Sequence, residues 1–212
     1  MSLAELIGNT RIKATLSGYL RNERVPNSLI FSGSDAYHQL LFAMNFAKAL
    51  VCQKGSLLDA CDRCRPCLAV DRGLYPDVQV LAPEGQFYRK NQLDELIATA
   101  HQRPLQGERR VFILKEAQRL NESAANAFLK TLEEPPAHVH FILVTDHPEK
   151  LLPTIVSRCQ PVSFSPVPTP ALADDLVSRF GLPPDAATMV ARVAGGNLEY
   201  ARELVTSASA RR

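Results

Sequence analysis

Short apolar runs alternate with helical patterns along this chain. Leu29-Ile30-Phe31 is the first run that reads as a buried strand. Asp77-Val78-Gln79-Val80-Leu81 is the second, ended by Pro83, and 110–114, 139–144 and the short 161–164 follow. Helical periodicity fills the gaps. Ala125, Phe128, Leu129 and Leu132 recur at i, i+3, i+4 and i+7, one apolar face of a helix over 122–133. Asn121 is its N-cap, Glu122 suits the positive end of its dipole, and Pro135-Pro136 stops it. A second helix over 91–100 turns Leu93, Leu96 and Ile97 inward. Alternating strands and helices predict an α/β fold, a parallel sheet covered on both faces.

The pattern changes near Ser165. Pro166, Pro168 and Pro170 form a stiff linker. Three helical patterns follow, over 171–180, 184–193 and 197–205, punctuated by Gly181 and Gly195-Gly196. No strand pattern remains. The chain therefore divides into an α/β domain over 1–165, a small helical domain over 166–206 and a frayed tail over 207–212.

Composition adds limits. The 212 residues are 46% hydrophobic and 22% charged, with a net charge of +2. That balance is ordinary for a globular chain and implies no polyanion partner by charge alone. Met1–Leu6 carries neither the basic region nor the apolar core of a secretory signal. No apolar run approaches the roughly 18–20 residues of a membrane helix. A cytoplasmic location is expected by default, and there clustered cysteines favour metal over disulfides.

Four cysteines cluster. Cys61, Cys64 and Cys67 form a Cys-x-x-Cys-x-x-Cys run, and Cys52 precedes Cys61 by eight intervening residues. Four thiolates in so short a stretch suit a tetrahedral structural zinc site, a knuckle over 52–67. Gly55 and Pro66 supply its turns, and Arg63 and Arg65 offset its negative charge. Reduced thiols or a redox pair are the alternative. Four protein ligands leave no open position, so the zinc is structural, not catalytic. Cys159 is too far along the chain to be counted.

The run from Gly33 to Leu40 follows the first strand and opens a helix through Phe42, Phe46 and Leu50. A phosphate-binding loop belongs at this place. Such a loop needs glycines for backbone approach, a Lys for the β/γ-phosphates and a Ser or Thr for Mg²⁺. Here His38 holds the second glycine slot, Gln39 the Lys slot and Leu40 the Ser/Thr slot. The ATPase scaffold is expected without its chemistry.

Three stretches together resemble the AAA+ clamp-loader family of bacterial DNA polymerase III. They are the four-cysteine insert after the loop helix, Asn126-Ala127-Phe128-Leu129-Lys130-Thr131-Leu132-Glu133-Glu134-Pro135-Pro136, and Leu151-Leu152-Pro153-Thr154-Ile155-Val156-Ser157-Arg158-Cys159. The resemblance covers about residues 1–206. It implies a RecA-like five-stranded parallel sheet with helices on both faces, a zinc knuckle insert and a three-helix lid. Departures from the family pattern point to its non-hydrolysing delta-prime branch rather than to the gamma/tau ATPases. The Asp-Glu pair that closes the third strand in the ATPases reads Lys115-Glu116 here. The second-sensor Arg of the lid is replaced by Glu199. Thr145 stands in the first-sensor place. ATP binding is therefore not expected, and neither is hydrolysis. The resemblance gives Arg158 the role of an arginine finger in a neighbouring subunit's ATP site. Pairing with a local carboxylate is the plainer reading of the same residue. Implied partners are gamma/tau and delta subunits, with the sliding clamp and primer-template DNA reached through the complex. An ATP-binding gamma/tau-like subunit with a divergent loop is the alternative. The family's helical collar domain is not found after the lid. His38 is read as exposed. Arg103, Arg109 and Arg110 are read as a solvated or salt-bridged face, with DNA contact as the other reading.

Overall fold

A computed structural model describes residues 1–54 and 59–209. Five parallel strands, β1 (Ser28–Ser32), β2 (Val78–Leu81), β3 (Arg110–Leu114), β4 (Val139–Thr145) and β5 (Gln160–Ser163), form one sheet. Their order is β2-β3-β4-β1-β5. The three central strands are buried at every position, as strands covered on both faces must be. Helices α1 (Thr10–Arg21), α2 (Ala36–Val51), α3 (Arg65–Asp71), α4 (Lys90–Ala100), α5 (Glu122–Glu133) and the one-turn α6 (Pro153–Val156) complete the α/β part.

Side chains alternate across the sheet with period two and divide the core. Leu29, Phe31, Val111, Ile113, Ile142 and Val144 face α1 and α2, with Leu3 and Leu6 of the N-terminal segment beside them. Ile30, Phe112, Leu114, Phe141 and Leu143 face α4, α5 and α6. The helix read over 122–133 is α5, with Asn121 capping Ala124 N–H at 2.9 Å.

Helices α7 (Thr169–Phe180), α8 (Pro184–Ala194) and α9 (Leu198–Ser209) follow the proline linker. They share their own core of Leu172, Leu176, Ala187, Ala191, Leu198 and Ala201. Gly181 and Gly195 end α7 and α8 in the left-handed conformation that glycine adopts freely. The three helices dock on the base through Ile7, Tyr37 and Leu41. Arg202 also lies 4.5 Å from the Tyr37 ring centroid.

Three expectations need correction. The tail is not frayed from Ser207, because α9 runs on through Ser209; residues 210–212 lie outside the described residues. Arg110 is not part of a surface face. It is 1% exposed and pairs with the fully buried Asp77 at 3.1 Å, which closes off contact with DNA there. Asp77 also accepts the N–H groups of Leu105, Gln106 and Gly107. Burial pushes its carboxyl up, but these hydrogen bonds and Arg110 outweigh that and hold it below the usual range. The third correction, His38, belongs to the loop described next. Among the described residues, no helix is long and apolar enough to cross a membrane.

Candidate functional site

Three places carry the chemistry anticipated from the residues: the cysteine cluster, the loop after β1, and Arg158.

The structure brings Cys52, Cys61, Cys64 and Cys67 together. Their sulfur atoms all lie within 4.8 Å of one another. Cys52 and Cys64 are 3.8 Å apart, Cys61 and Cys67 4.0 Å. A tetrahedron of Zn–S bonds of about 2.3 Å has S···S edges of about 3.8 Å, so the cage fits zinc. Backbone N–H groups point at the sulfurs as well: Cys61 N–H at Cys52, and Cys64 N–H at Cys61, both at 3.4 Å. Hydrogen bonds from Arg63 and Cys64 pull the Cys61 thiol down to about 6, while burial pushes those of Cys52 and Cys67 up, so a metal would have to displace their protons. Pro66 starts α3, on which Cys67 sits fully buried. Gly55 lies outside the described residues. Cys159 is buried on the far core and takes no part.

The knuckle is stitched to the rest of the base. Asp59 accepts the N–H groups of Leu3 and Ala4, each at 3.0 Å. Lys48, 1% exposed on α2, reaches Asp62 and Asp71 and donates to the Met1 carbonyl at 2.6 Å. The cysteine cluster thus sits on the junction of α2, α3 and the N-terminal segment.

The loop after β1 is built as anticipated but filled from within. Gly33 is required: a Cβ there would meet the Phe164 carbonyl at 2.8 Å and the Gln39 amide nitrogen at 3.1 Å. Asp35 is the N-cap of α2 and accepts His38 N–H at 3.0 Å. Its other oxygen accepts Leu198 N–H at the head of α9. Two helix N-termini therefore converge on one buried carboxylate, in a position where a nucleotide-binding loop receives phosphate. Asn197 adds a hydrogen bond to the Ser34 carbonyl at 3.2 Å. Gln39 is fully buried, and neither side-chain polar atom has a protein partner.

His38 is 2% exposed, not on the surface. Its Nε2 lies 3.0 Å from the Ile7 carbonyl, and its ring meets Phe42 edge-on. Ile7 of the N-terminal segment and Phe164 beyond β5 cover it, an arrangement that local sequence does not announce.

The positions around the loop are also engaged elsewhere. Glu116 has left-handed φ of 50°, a strained conformation for a non-glycine residue, and its carboxylate turns to Arg119 at 3.0 Å. Thr145 donates to Gln118 at 2.7 Å and accepts His147 N–H. Partial burial, then the charges of Asp35 and Glu203, push the Glu199 carboxyl up, with Lys115 opposing. Glu199 is thus near enough to Asp35, Lys115 and Asp146 to feel their charges.

Arg158 sits at the opposite end of the strands. The β1–β5 register pairs Leu29 with Gln160, and Arg158 shares a cleft with Asn27 and Ser28 at the start of β1. Gly33, just past the far end of β1, lies roughly 15–20 Å away at the rise of a strand. The guanidinium cannot reach its own chain's loop. It is 29% exposed and pairs with Glu133 at the end of α5, Nε to Oε1 at 2.8 Å. The plainer reading of a local carboxylate partner is therefore realised, with the group still accessible.

The comparisons with known proteins add the lineage. A family model described as "DNA polymerase III, delta subunit" matches residues 8–168. The chain belongs to that family. The DNA polymerase III subunit delta′ of Bacillus subtilis is 30% identical over 194 residues, 92% of this chain and 58% of that protein. The gamma/tau subunit of Mycobacterium tuberculosis is 32% identical over 202 residues, 92% of this chain and 35% of that protein. The chain thus spans between a third and three-fifths of these two relatives. Among solved structures, a Thermotoga maritima gamma subunit-related protein aligns with TM-score 0.63 at 22% identity, covering 92% of this chain and 57% of that one. The Thermotoga maritima RuvB branch migration motor aligns with TM-score 0.63 at 17% identity, covering 96% and 62%. These likenesses establish the AAA+ fold and nothing finer.

Sequence reading assigned no role to Asp35, Asp59, Asp62 or Glu133. A signal existed for Asp35, since an Asp just before a helix is an N-cap. Its second partner lies 163 residues away.

Proposed function

We propose that the chain is a non-hydrolysing, delta-prime-like subunit of a bacterial clamp loader. It assists ATP-dependent loading of a sliding clamp on primer-template DNA, beside gamma/tau and delta subunits. The observation that carries this reading is Asp35. Its carboxylate already draws the N–H groups that a phosphate would use. A nucleotide phosphate arriving there meets a like charge, and neither Gln39 nor Leu40 supplies the Lys or hydroxyl that holds Mg-ATP. Lys115 puts a cation where a magnesium carboxylate belongs. The chain does not act as an ATPase by itself.

Arg158 is its contribution to catalysis elsewhere. A partly accessible guanidinium at the end of the strands opposite the chain's own loop is suited to act in trans. There it would neutralise charge developing on a neighbour's ATP. Zinc held by Cys52, Cys61, Cys64 and Cys67 stabilises the base and takes no part in the chemistry.

Calorimetry with Mg-ATP tests the first part; no saturable heat is expected. Arg158→Ala, reconstituted with gamma/tau-like partners, tests the second. Their DNA-stimulated ATPase should fall while this chain stays folded. The identity to gamma/tau subunits is as high as that to delta′ and favours a second reading, an ATP-binding subunit with a divergent loop. Saturable Mg-dependent binding would select it.

A further inference from the structure

We propose that Glu133 is the positioning residue that parks Arg158, and that a neighbour's phosphate must displace it to recruit the arginine. The inference rests on the reading of Arg158 as a finger in trans.

Every nitrogen of the guanidinium is held within the chain. Nε and Nη2 both donate to Oε1 of Glu133. Nη1 donates to the Thr154 carbonyl at 2.8 Å and to Ser157 Oγ at 3.2 Å. The Nε/Nη2 edge is the one that matches two oxygens of a carboxylate or phosphate. Here both donors converge on a single carboxylate oxygen, so a bidentate phosphate would offer them better geometry. Glu133 also ends α5, at the negative pole of the helix dipole. A carboxylate is disfavoured there unless a cation offsets it, which draws Arg158 onto it.

The pair is accessible to a competitor. Arg158 is 29% exposed and Glu133 48%. Both line a cleft of about 400 Å³ with Asn27, Ser28, Pro135 and Gln160. The Ser28 hydroxyl is buried there and has no partner in the protein. A phosphate oxygen entering the cleft's mouth meets a cation whose charge is already largely neutralised. Glu133 thus sets a threshold, and only a stronger anion, placed by a docked neighbour, takes the arginine over.

The test uses the chain reconstituted with its gamma/tau-like partners, following partner ATP hydrolysis against ATP concentration. Four proteins are compared: wild type, Glu133→Gln, Arg158→Ala and the double variant. Glu133→Gln keeps an acceptor but removes the charge. It should lower half-saturating ATP by about threefold, the change a half-exposed ion pair supports, and leave the saturated rate unchanged. The double variant should match Arg158→Ala alone. An unchanged half-saturation in Glu133→Gln overturns the proposal. So does a lowered rate with raised half-saturation, since the carboxylate would then be aiding the finger. If Arg158→Ala itself has no effect, the finger reading fails and the proposal with it.

Discussion

Removing the Asp35 carboxylate should loosen the lid from the base. Asp35 is 6% exposed and holds two buried N–H groups, those of His38 and Leu198. Truncation to Ala strands both donors. Each buried donor left without a partner costs about 1–3 kcal/mol, and water entering the vacated volume returns part of that. The expected net loss is about 2–4 kcal/mol. For a chain of this size that lowers the melting temperature by roughly 5–15 °C. Asp35→Asn keeps one acceptor oxygen and should lose about half as much. Urea denaturation gives the free energies, and hydrogen exchange by mass spectrometry reports the two helix heads separately. Protection should fall at the start of α9 as well as at the start of α2. A loss below about 0.5 kcal/mol would refute the reasoning, being no more than an ordinary surface substitution. Unchanged exchange at Leu198 alongside a real loss would reduce Asp35 to a plain helix cap.

Three further outcomes are expected. Protein prepared without added zinc should carry one zinc per chain by metal analysis. Chelation should lower its melting temperature and deprotect the N-terminal segment tied to Asp59. Asp77→Ala strands a guanidinium that is 1% exposed and should cost about 3–5 kcal/mol by urea denaturation. Replacing Asp77 and Arg110 together with apolar residues should recover part of that loss. His140 is buried and hydrogen-bonded to the Pro26 carbonyl, and burial, with Arg109 and His138 nearby, pulls its pKa down to about 4. The folded state therefore binds its proton less readily than the unfolded state. The stability it allows is fully present above pH about 6.5 and falls as pH drops toward 4, by on the order of 3 kcal/mol at most. Denaturation at several pH values should show this slope in wild type and a shallower one in His140→Asn.

The α/β alternation was legible because its signals are local. β3 and β4 are apolar at most positions, and α5 carries its cap, its stripe and its stop within sixteen residues, 121–136. The four-cysteine cluster was legible for the same reason, since its spacing is short. Helix α1 went unread although Ile12, Leu16 and Leu20 recur at four-residue intervals, because polar residues dilute that face. Arg110 shows why other features stayed hidden. Its charge and its place at a strand end read as surface, yet Asp77, 33 residues earlier, draws it inside. His38 was misplaced in the same way, its cover coming from Ile7 and from Phe164. Buried polar pairs are made by partners distant in sequence, and no periodicity reports them. His38, Gln39 and Leu40 were visible one by one in the loop after β1, but the carboxylate that ties the loop to α9 was not.

That carboxylate also bears on cooperativity. In a two-part chain joined by a proline linker, the parts can open and close on separate timescales and exchange their amides as separate units. A single anion shared between the first turn of α2 and the first turn of α9 welds the two openings into one event. The base and the lid should then behave as one foldon without any ligand to join them.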